Sequence, residues 1–369
     1  MKNVYRRRLP ALARHLLYPD SSNYNMLPGR GIRIEENVRI TGPQFFSPLA
    51  PKLGMWPETR DAAKTSHQLP DYFSATLQGA LLDTRYNLIT TPTGAPFTDS
   101  TSTVLPVDGS AWVRRIRKNI EPISGICCSF RSVHNGVYHT LIDNMSRIFF
   151  LRQACYQSLD QINLLLTSPV NPQEKFYLDR YLPKNVNLLL VPDDRYLRPD
   201  RLIFSSFLPK RTLSYLPKFY LDDFLPCFLP KRPRKRRHRI FVSRRSGVRS
   251  AMRVIENEDL LMSALAAKGF RRYFLEDMSF EEQIELFYDA ESVVAAHGAG
   301  LANLIFSENV KVVELHPSKL LIPNFHYICL SMGHSYSFWK GTRNHFNDAF
   351  TVDVERVKSL IDQQDLLSV

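Results

Sequence analysis

Two groups of residues have types and spacings that can carry chemistry. In the first, His139, Asp143 and Arg147 follow one another at intervals of four, while the apolar Val137, Leu141, Met145 and Ile148 recur at helical spacing. A helix opened by Asn135-Gly136 would carry imidazole, carboxylate and guanidinium on one face. A histidine beside a carboxylate can act as a general base in a cleft. The same spacing also fits an exposed helix face stitched by pairs four residues apart.

The second group lies far downstream. Ser292-Val293-Val294-Ala295-Ala296-His297-Gly298-Ala299-Gly300-Leu301-Ala302-Asn303 is an apolar run that stops at a histidine and two glycines. Short and valine-rich, it suits a buried parallel strand, and the glycines let the chain turn tightly into a helix. The free N–H groups at that helix start are a ready site for a phosphorylated ligand beyond the strand's carboxyl end. Close packing alone is the other use of such a turn. Ser243-Arg244-Arg245-Ser246-Gly247-Val248-Arg249 directly follows a strand, so Arg244 and Arg249, with Arg253 beyond them, emerge at the same sheet edge. Guanidinium groups there can hold a diphosphate; continuation of the preceding basic run is the alternative. Glu314, closing Val312-Val313-Glu314, points to that edge too, either to accept from ribose hydroxyls or to pair with an arginine.

No metal-ligand spacing is visible. His316, His326 and His334 are scattered and no Asp-x-Asp pair stands at a useful place, so neither a metal nor a separate cofactor is expected. Cys127, Cys128, Cys155, Cys227 and Cys329 form no C-x-x-C pair, and their odd number reads as free, mostly buried thiols in a reducing compartment.

The elements that must position these groups alternate. Ile123 to Phe130, Ile162 to Thr167 and Val186 to Val191 are short apolar runs separated by helical spacing, the pattern of βαβ units. Ile203 to Phe207 adds a strand, and Leu213 to Leu229 an apolar helix, either continuous or broken around Pro217 and Pro226. Lys231-Arg232-Pro233-Arg234-Lys235-Arg236-Arg237-His238-Arg239 then reads as a solvated interdomain linker. A second series comes next: Ile240 to Ser243, a helix from Glu256 to Lys268 stopped by Gly269, the strand Phe270 to Leu275, and the capping box Ser279-Phe280-Glu281-Glu282. The glycine-turn strand, Lys311 to Leu315 and Tyr336 to Trp339 complete it. The result is two consecutive Rossmann-like domains, 111–230 and 231–350, after an irregular, partly β extension over 1–110. A last helix over 352–367 can pack back across either domain, the first included.

At 369 residues the chain exceeds one ordinary core, and 44% hydrophobic with 23% charged residues is a globular composition. A net charge of +12 implies an anionic partner: nucleic acid, a membrane surface or a phosphorylated small molecule. The basic run has no interleaved aromatics to stack on bases, which argues against nucleic acid. The absence of G-x-G-x-x-G after the first strands argues against a Rossmann-type oxidoreductase. No apolar run has the length of a membrane span, and Arg14 and His15 interrupt Ala11-Leu12-Ala13 too soon for a signal peptide. Arg6-Arg7-Arg8 with Leu9 to Leu17 reads either as a solvated terminus or as a basic amphipathic segment for an anionic membrane.

Taken together, Ile240-Phe241-Val242-Ser243-Arg244, Arg249, Arg253, Asn257-Glu258, Gly269-Phe270, Ser279, Glu282-Gln283-Ile284, the turn from His297 to Asn303 and Val313-Glu314-Leu315 resemble glycosyltransferase family 61, densely over 239–316. Tyr138-His139-x-x-x-Asp143-x-x-x-Arg147 resembles that family's amino-terminal motif. Thr140, Ser146 and Ala302 depart from the family pattern, which bears on the acceptor more than on the donor fold. The resemblance implies an α/β GT-B architecture, two Rossmann-like domains facing across a cleft, with a nucleotide sugar on the carboxy-terminal one. It also implies inverting transfer, usually from a UDP sugar, to a saccharide or other hydroxyl acceptor, as in surface polysaccharide or glycan synthesis. On that reading His139 is the base, with Asp143 orienting it or serving as the base itself. Arg244, Arg249, Arg253, Glu314 and the turn residues His297, Gly298, Ala299, Gly300, Leu301 and Asn303 hold the donor. The expected location is the cytoplasm, with peripheral attachment at the inner face of the cell membrane as its variant.

Overall fold

The computed structural model describes residues 31–46, 66–69, 71–94, 97, 100, 119–132, 136–208, 214–245, 252–318, 321–345 and 347–366. The basic amino-terminal segment, Asn135 and Arg249 lie outside the described residues. Among those described, the chain opens with β1 (Arg33–Ile40), the short hairpin β2 (Gln44–Phe46) and β3 (Ser66–Gln68), then β4 (Tyr72–Gln78), β5 (Leu81–Asp83) and β6 (Leu88–Thr90). The first parallel series comes next as β7 (Ile120–Ser129), β8 (Ile162–Leu166), β9 (Val186–Leu190) and β10 (Tyr196–Ser205).

Apart from β2 and β3, these strands form one sheet in the order β1-β4-β10-β7-β8-β9, with β5 on β10 and β6 on β5. β7, β8, β9 and β10 pair in parallel, while β4 runs antiparallel to β10 and is buried along almost its whole length. Of the partly β extension expected over 1–110, β1, β4, β5 and β6 are hydrogen-bonded into the first sheet, whereas β2 and β3 pair with each other. Between β7 and β8 lie a π-helical turn, His139–Asn144, and the helices α1 (Met145–Leu151) and α2 (Ala154–Gln157). Between β8 and β9, α3 (Pro172–Tyr181) starts at a capping box of Asn171 and Glu174. Beyond β10, α4 (Lys218–Phe224) begins at Pro217 and breaks into a 3₁₀ turn containing Pro226, as the prolines require.

The second sheet is wholly parallel, in the order β12-β11-β13-β14-β15: β11 (His238–Val242), β12 (Phe270–Tyr273), β13 (Ala290–Ala296), β14 (Lys311–Ser318) and β15 (Ser335–Arg343). Its helices are α5 (Glu258–Ala266), α6 (Phe280–Tyr288), α7 (Asn324–Met332) and α8 (Val354–Leu366). Gly269, at φ +81°, ends the α5 turn, and Ser279 and Glu282 close the capping box of α6. Numbered from its own first strand, this sheet runs 2-1-3-4-5, so its direction of build-up reverses between β11 and β13. A crevice opens outside the carboxyl ends of strands at such a reversal. The parallel part of the first sheet reverses between β7 and β10 in the same way.

The last helix takes one of the two packings open to it, and the expectation for the basic run changes in part. α8 packs on the second sheet, where Gln364 donates to Val312 O (3.0 Å) and Asp365 takes both Arg239 (2.7 Å) and Lys311 (2.8 Å). The basic run is only partly solvated: Lys231, Lys235, Arg236 and Arg237 are exposed, while Arg232 and Arg234 are held at the end of α6. Arg232 pairs with Asp289 (2.9 Å) and Glu285, and Arg234 lies over the Tyr288 ring at 4.0 Å while donating to Tyr288 O and Phe306 O. Lys235 N–H donates to Asp289 Oδ1 (2.7 Å). The physical reason is that α6 ends there with unsatisfied carbonyls and two carboxylates, which cations near a helix carboxyl terminus satisfy. One buried cluster joins the sheets, from Cys128, Leu164 and Ile203 to Ile240, Val293 and Val312, and the rings of Phe176 and Phe280 meet at 5.5 Å.

Candidate active site

The first half of the site lies beyond β7. Ser132 N–H donates to Asn144 Oδ1 (2.8 Å), tying the loop after the strand to the π-helical turn. Within that turn His139 Nδ1 lies 2.7 Å from Asp143 Oδ2, so the pairing expected from the four-residue spacing is made. The imidazole is 31% exposed and the carboxylate 10%, so the ring is the more open of the two. Arg147 does not join them. The wider π turn shifts the register of α1, and Arg147 is buried, its Nε donating to Ser205 O (3.1 Å) at the end of β10 and its guanidinium 4.4 Å from the Phe207 ring. Burial lowers its pKa to about 10.

Tyr138 connects this half to the other. Its hydroxyl is hydrogen-bonded to Ser214, a buried residue held at φ +99°, a backbone region costly for serine. Its ring meets His139 edge-on at 5.1 Å and Phe325 of α7 at 5.9 Å, and Phe325 in turn lies 5.0 Å from the ring of His297. Leu216 N–H donates to Ser331 Oγ (2.7 Å) across the same seam.

The second half sits at the reversal between β11 and β13. Ser243 Oγ donates to the buried Glu258 (2.8 Å), which fixes the exit of β11. Arg244 then swings across to the turn after β13. A Cβ added to Gly298 would stand 3.1 Å from Arg244 Cζ, so the guanidinium occupies the space that only glycine leaves open. Gly298 is itself extended, at φ 177°, and its requirement is room rather than an unusual dihedral. Gly300 is needed for a similar reason: a Cβ there would lie 2.8 Å from Leu275 Cδ1. Arg244 Nε donates to Met252 O (3.1 Å), and Arg253, at φ +59°, brings a charge that acts on His297.

The helix after the turn is 3₁₀, Ala299–Phe306, not the expected α-helix. Leu301 N–H is bonded to Gly298 O (3.0 Å), which leaves the amides of Ala299 and Gly300 at the turn. Leu301 and Asn303 are buried supports: Asn303 Nδ2 donates to Gln283 Oε1 (3.0 Å) and Gly300 O (3.2 Å).

Glu314 takes a position other than the one expected. β14 runs on to Ser318, so Glu314 is a mid-strand residue opposite Ala295 and is fully buried. Its Oε1 is hydrogen-bonded to His297 Nδ1 and lies 3.3 Å from His316 Nε2, while its Oε2 accepts from Tyr336 OH (2.7 Å). It pairs with histidines rather than arginine, and its oxygens are spent on holding His297 rather than reaching a ribose. Burial, only partly offset by the Glu314 charge, lowers the His297 pKa to about 4, so near neutral pH the ring is uncharged and its Nδ1–H donates to the carboxylate. Burial alone would raise the Glu314 carboxyl, but the His316 and His297 imidazoles hold it well below the usual range. Sequence reasoning gave no site role to Tyr138, Ser214, Phe325, His316 or Tyr336. Of these, Tyr138 stood beside His139 in the amino-terminal motif, and His316 stood two residues after Glu314 on the same strand face.

Residues 137–313 match the family model described as Glycosyltransferase 61. The matched span holds both the His139–Asp143 pair and the Arg244–Gly298 contact. No curated protein matches the chain.

Proposed function

The chain belongs to glycosyltransferase family 61 and is a glycosyltransferase; on that premise we propose that it is an inverting enzyme that transfers a sugar from a nucleotide diphosphate sugar, a UDP sugar foremost, to a hydroxyl of a saccharide acceptor. The two parallel-cored sheets act as the halves of a GT-B pair, residues up to 230 presenting the acceptor and residues 231–350 the donor. In the reaction His139 takes the acceptor proton on Nε2, with Nδ1 turned to Asp143, as the acceptor oxygen attacks the anomeric carbon and the bond to the diphosphate breaks. Arg244 and the amides of Ala299 and Gly300 receive the diphosphate charge, with Arg253 beside them. His139 fits the base role better than Asp143 because the imidazole is the more exposed of the two.

The observation that carries this reading is the seat of Arg244 on Gly298 at the crevice between β11 and β13, where α/β sheets bind phosphorylated ligands. The net charge of +12 fits an anionic donor and also an anionic membrane face, which supports work at the cytoplasmic side of a membrane on a surface glycan. No helix among the described residues is long and apolar enough to cross a membrane. The test is a screen of nucleotide sugars, with candidate saccharide acceptors, for enzyme-dependent release of nucleoside diphosphate. Release from a UDP sugar supports the reading; no release from any donor, with stabilisation by NAD instead, replaces it.

A further inference from the structure

We propose that His297, Glu314 and His316 form a binding site for a divalent transition-metal ion, zinc by the chemistry of its donors. All three are buried, and one ligand atom from each, an imidazole nitrogen or a carboxylate oxygen, lies within 4.8 Å of the others. Strand geometry assembles them: Glu314 and His316, two apart on β14, share a face, and His297 comes from the end of the neighbouring β13. Two imidazoles and a carboxylate are a recurrent zinc donor set, with bonds of roughly 2.0–2.2 Å that place neighbouring ligand atoms a little over 3 Å apart.

A second observation points to a ligand. His316 is buried, its Nδ1 has no hydrogen-bond partner, and its Nε2 stands 3.3 Å from Glu314 Oε1 without hydrogen-bond geometry. A buried imidazole that makes no hydrogen bond is costly, and a metal on Nε2 removes half of that cost. The surroundings are those of a supported site. Tyr336 OH fixes the other oxygen of Glu314, as outer partners of metal ligands do. From α7, His326 and Cys329 stand three residues apart, close enough for the Glu314 charge to act on both. Arg253 opposes a cation here, because its charge also reaches His297; the Glu314 carboxylate offsets it.

Occupancy has a chemical consequence. A metal on Nδ1 of His297 moves that ring's proton to Nε2, so the histidine changes from a hydrogen-bond acceptor to a donor on its outer edge. Because the site is buried, it loads as the chain folds.

The test uses the full chain made in zinc-supplemented cells, desalted and assayed for metal by mass spectrometry, and in cobalt-supplemented cells, read by visible absorption. Neither measurement involves nucleotide or acceptor, so both are independent of the transferase reading. The expected result is close to one metal per chain and the intense absorption of a low-symmetry, four-coordinate cobalt site. His316→Gln should lose at least tenfold in metal retained. Tyr336→Phe, which leaves all three ligands in place, should keep the absorption but release metal to a chelator faster, and it serves should His316→Gln not fold. Wild-type chain with no bound metal, or with only the weak spectrum of hydrated cobalt, overturns the proposal.

Discussion

The guanidinium of Arg244 rests on the Cα of Gly298, two residues that come from different strands on either side of the strand-order reversal. The contact makes the glycine a seat for the arginine. An alanine there suits the extended backbone and meets chiefly the far end of a movable side chain. Gly298→Ala should therefore cost less than about 1 kcal/mol in stability, as for most substitutions that meet no rigid neighbour. It should nonetheless weaken UDP binding by about 1.5–3 kcal/mol, the range for a hydrogen bond to a charged group, as Arg244→Ala should. Since both act through one guanidinium, the double variant should bind no worse than Arg244→Ala. Calorimetry and urea melts read the two quantities, and full-strength UDP binding by Gly298→Ala would detach the glycine from the site.

Binding of the basic run to α6 makes its residues unequal. Arg234 is 16% exposed and satisfies two main-chain carbonyls, Tyr288 O (2.7 Å) and Phe306 O (2.9 Å). Arg236 is exposed and reaches only Asn309 O (2.8 Å). Arg234→Ala should destabilise the fold by about 2–4 kcal/mol, two charge-assisted bonds discounted for partial exposure. Arg236→Ala should stay within about 0.5 kcal/mol, as surface changes do. Urea melts of the two variants giving equal losses would restore the solvated tether.

The legible and the illegible parts of the chain divide along physical lines. The parallel strands are legible because Ile240–Val242, Val293–Ala296 and Val312–Val313 are buried on both faces and leave short apolar runs. The capping box at Ser279 and the stop at Gly269 are local signals, and the structure forms both at those residues. The basic run misleads because its partners, Glu285, Asp289 and Phe306 O, lie more than fifty residues away along the chain. Glu314 misleads because His316-Pro317 resembles a strand end, whereas β14 continues past the proline with a local shift of register. The π turn that divides His139 and Asp143 from Arg147 has no sequence signature, because one extra residue in a helical turn leaves the apolar spacing nearly intact.

Acid should unfold the protein early. Burial pushes His297, His326 and His334 each down to about 4 from the ordinary 6.5. His334 is held neutral: Nε2–H donates to Leu304 O (2.9 Å), Nδ1 accepts from Val310 N–H (3.4 Å), and the nearby charges of Arg234 and Glu308 oppose each other. Between pH 6.5 and 4 the unfolded chain therefore binds protons that the folded chain does not, so stability falls as pH drops through that window. Each histidine adds a slope of about 1.4 kcal/mol per pH unit inside it. His334→Gln should remove one such share of the slope, whatever it does to the total. Denaturant melts from neutral pH down through that window that give the same slope for wild type and variant would rule His334 out as a contributor.

The mechanism is tested on the pair His139 and Asp143. The 2.7 Å bond from Nδ1 to Oδ2 holds the ring against the carboxylate, and the less exposed carboxylate cannot reach an acceptor as readily as the ring it orients. General-base catalysis contributes ~10²–10⁴-fold, so His139→Ala should lower turnover on that scale while UDP affinity by calorimetry stays close to wild type. Asp143→Asn keeps the size of the side chain but removes the charge that fixes the tautomer, and it should also lower turnover with donor binding unchanged. Groups that act as one unit are not additive, so the double variant should be little worse than the poorer single one. Multiplied losses would instead give the two residues separate tasks, with Asp143 as the base and His139 as an acceptor contact. Near-normal turnover of His139→Ala at saturating substrates would place the base elsewhere, leaving the pair as a brace of the π turn.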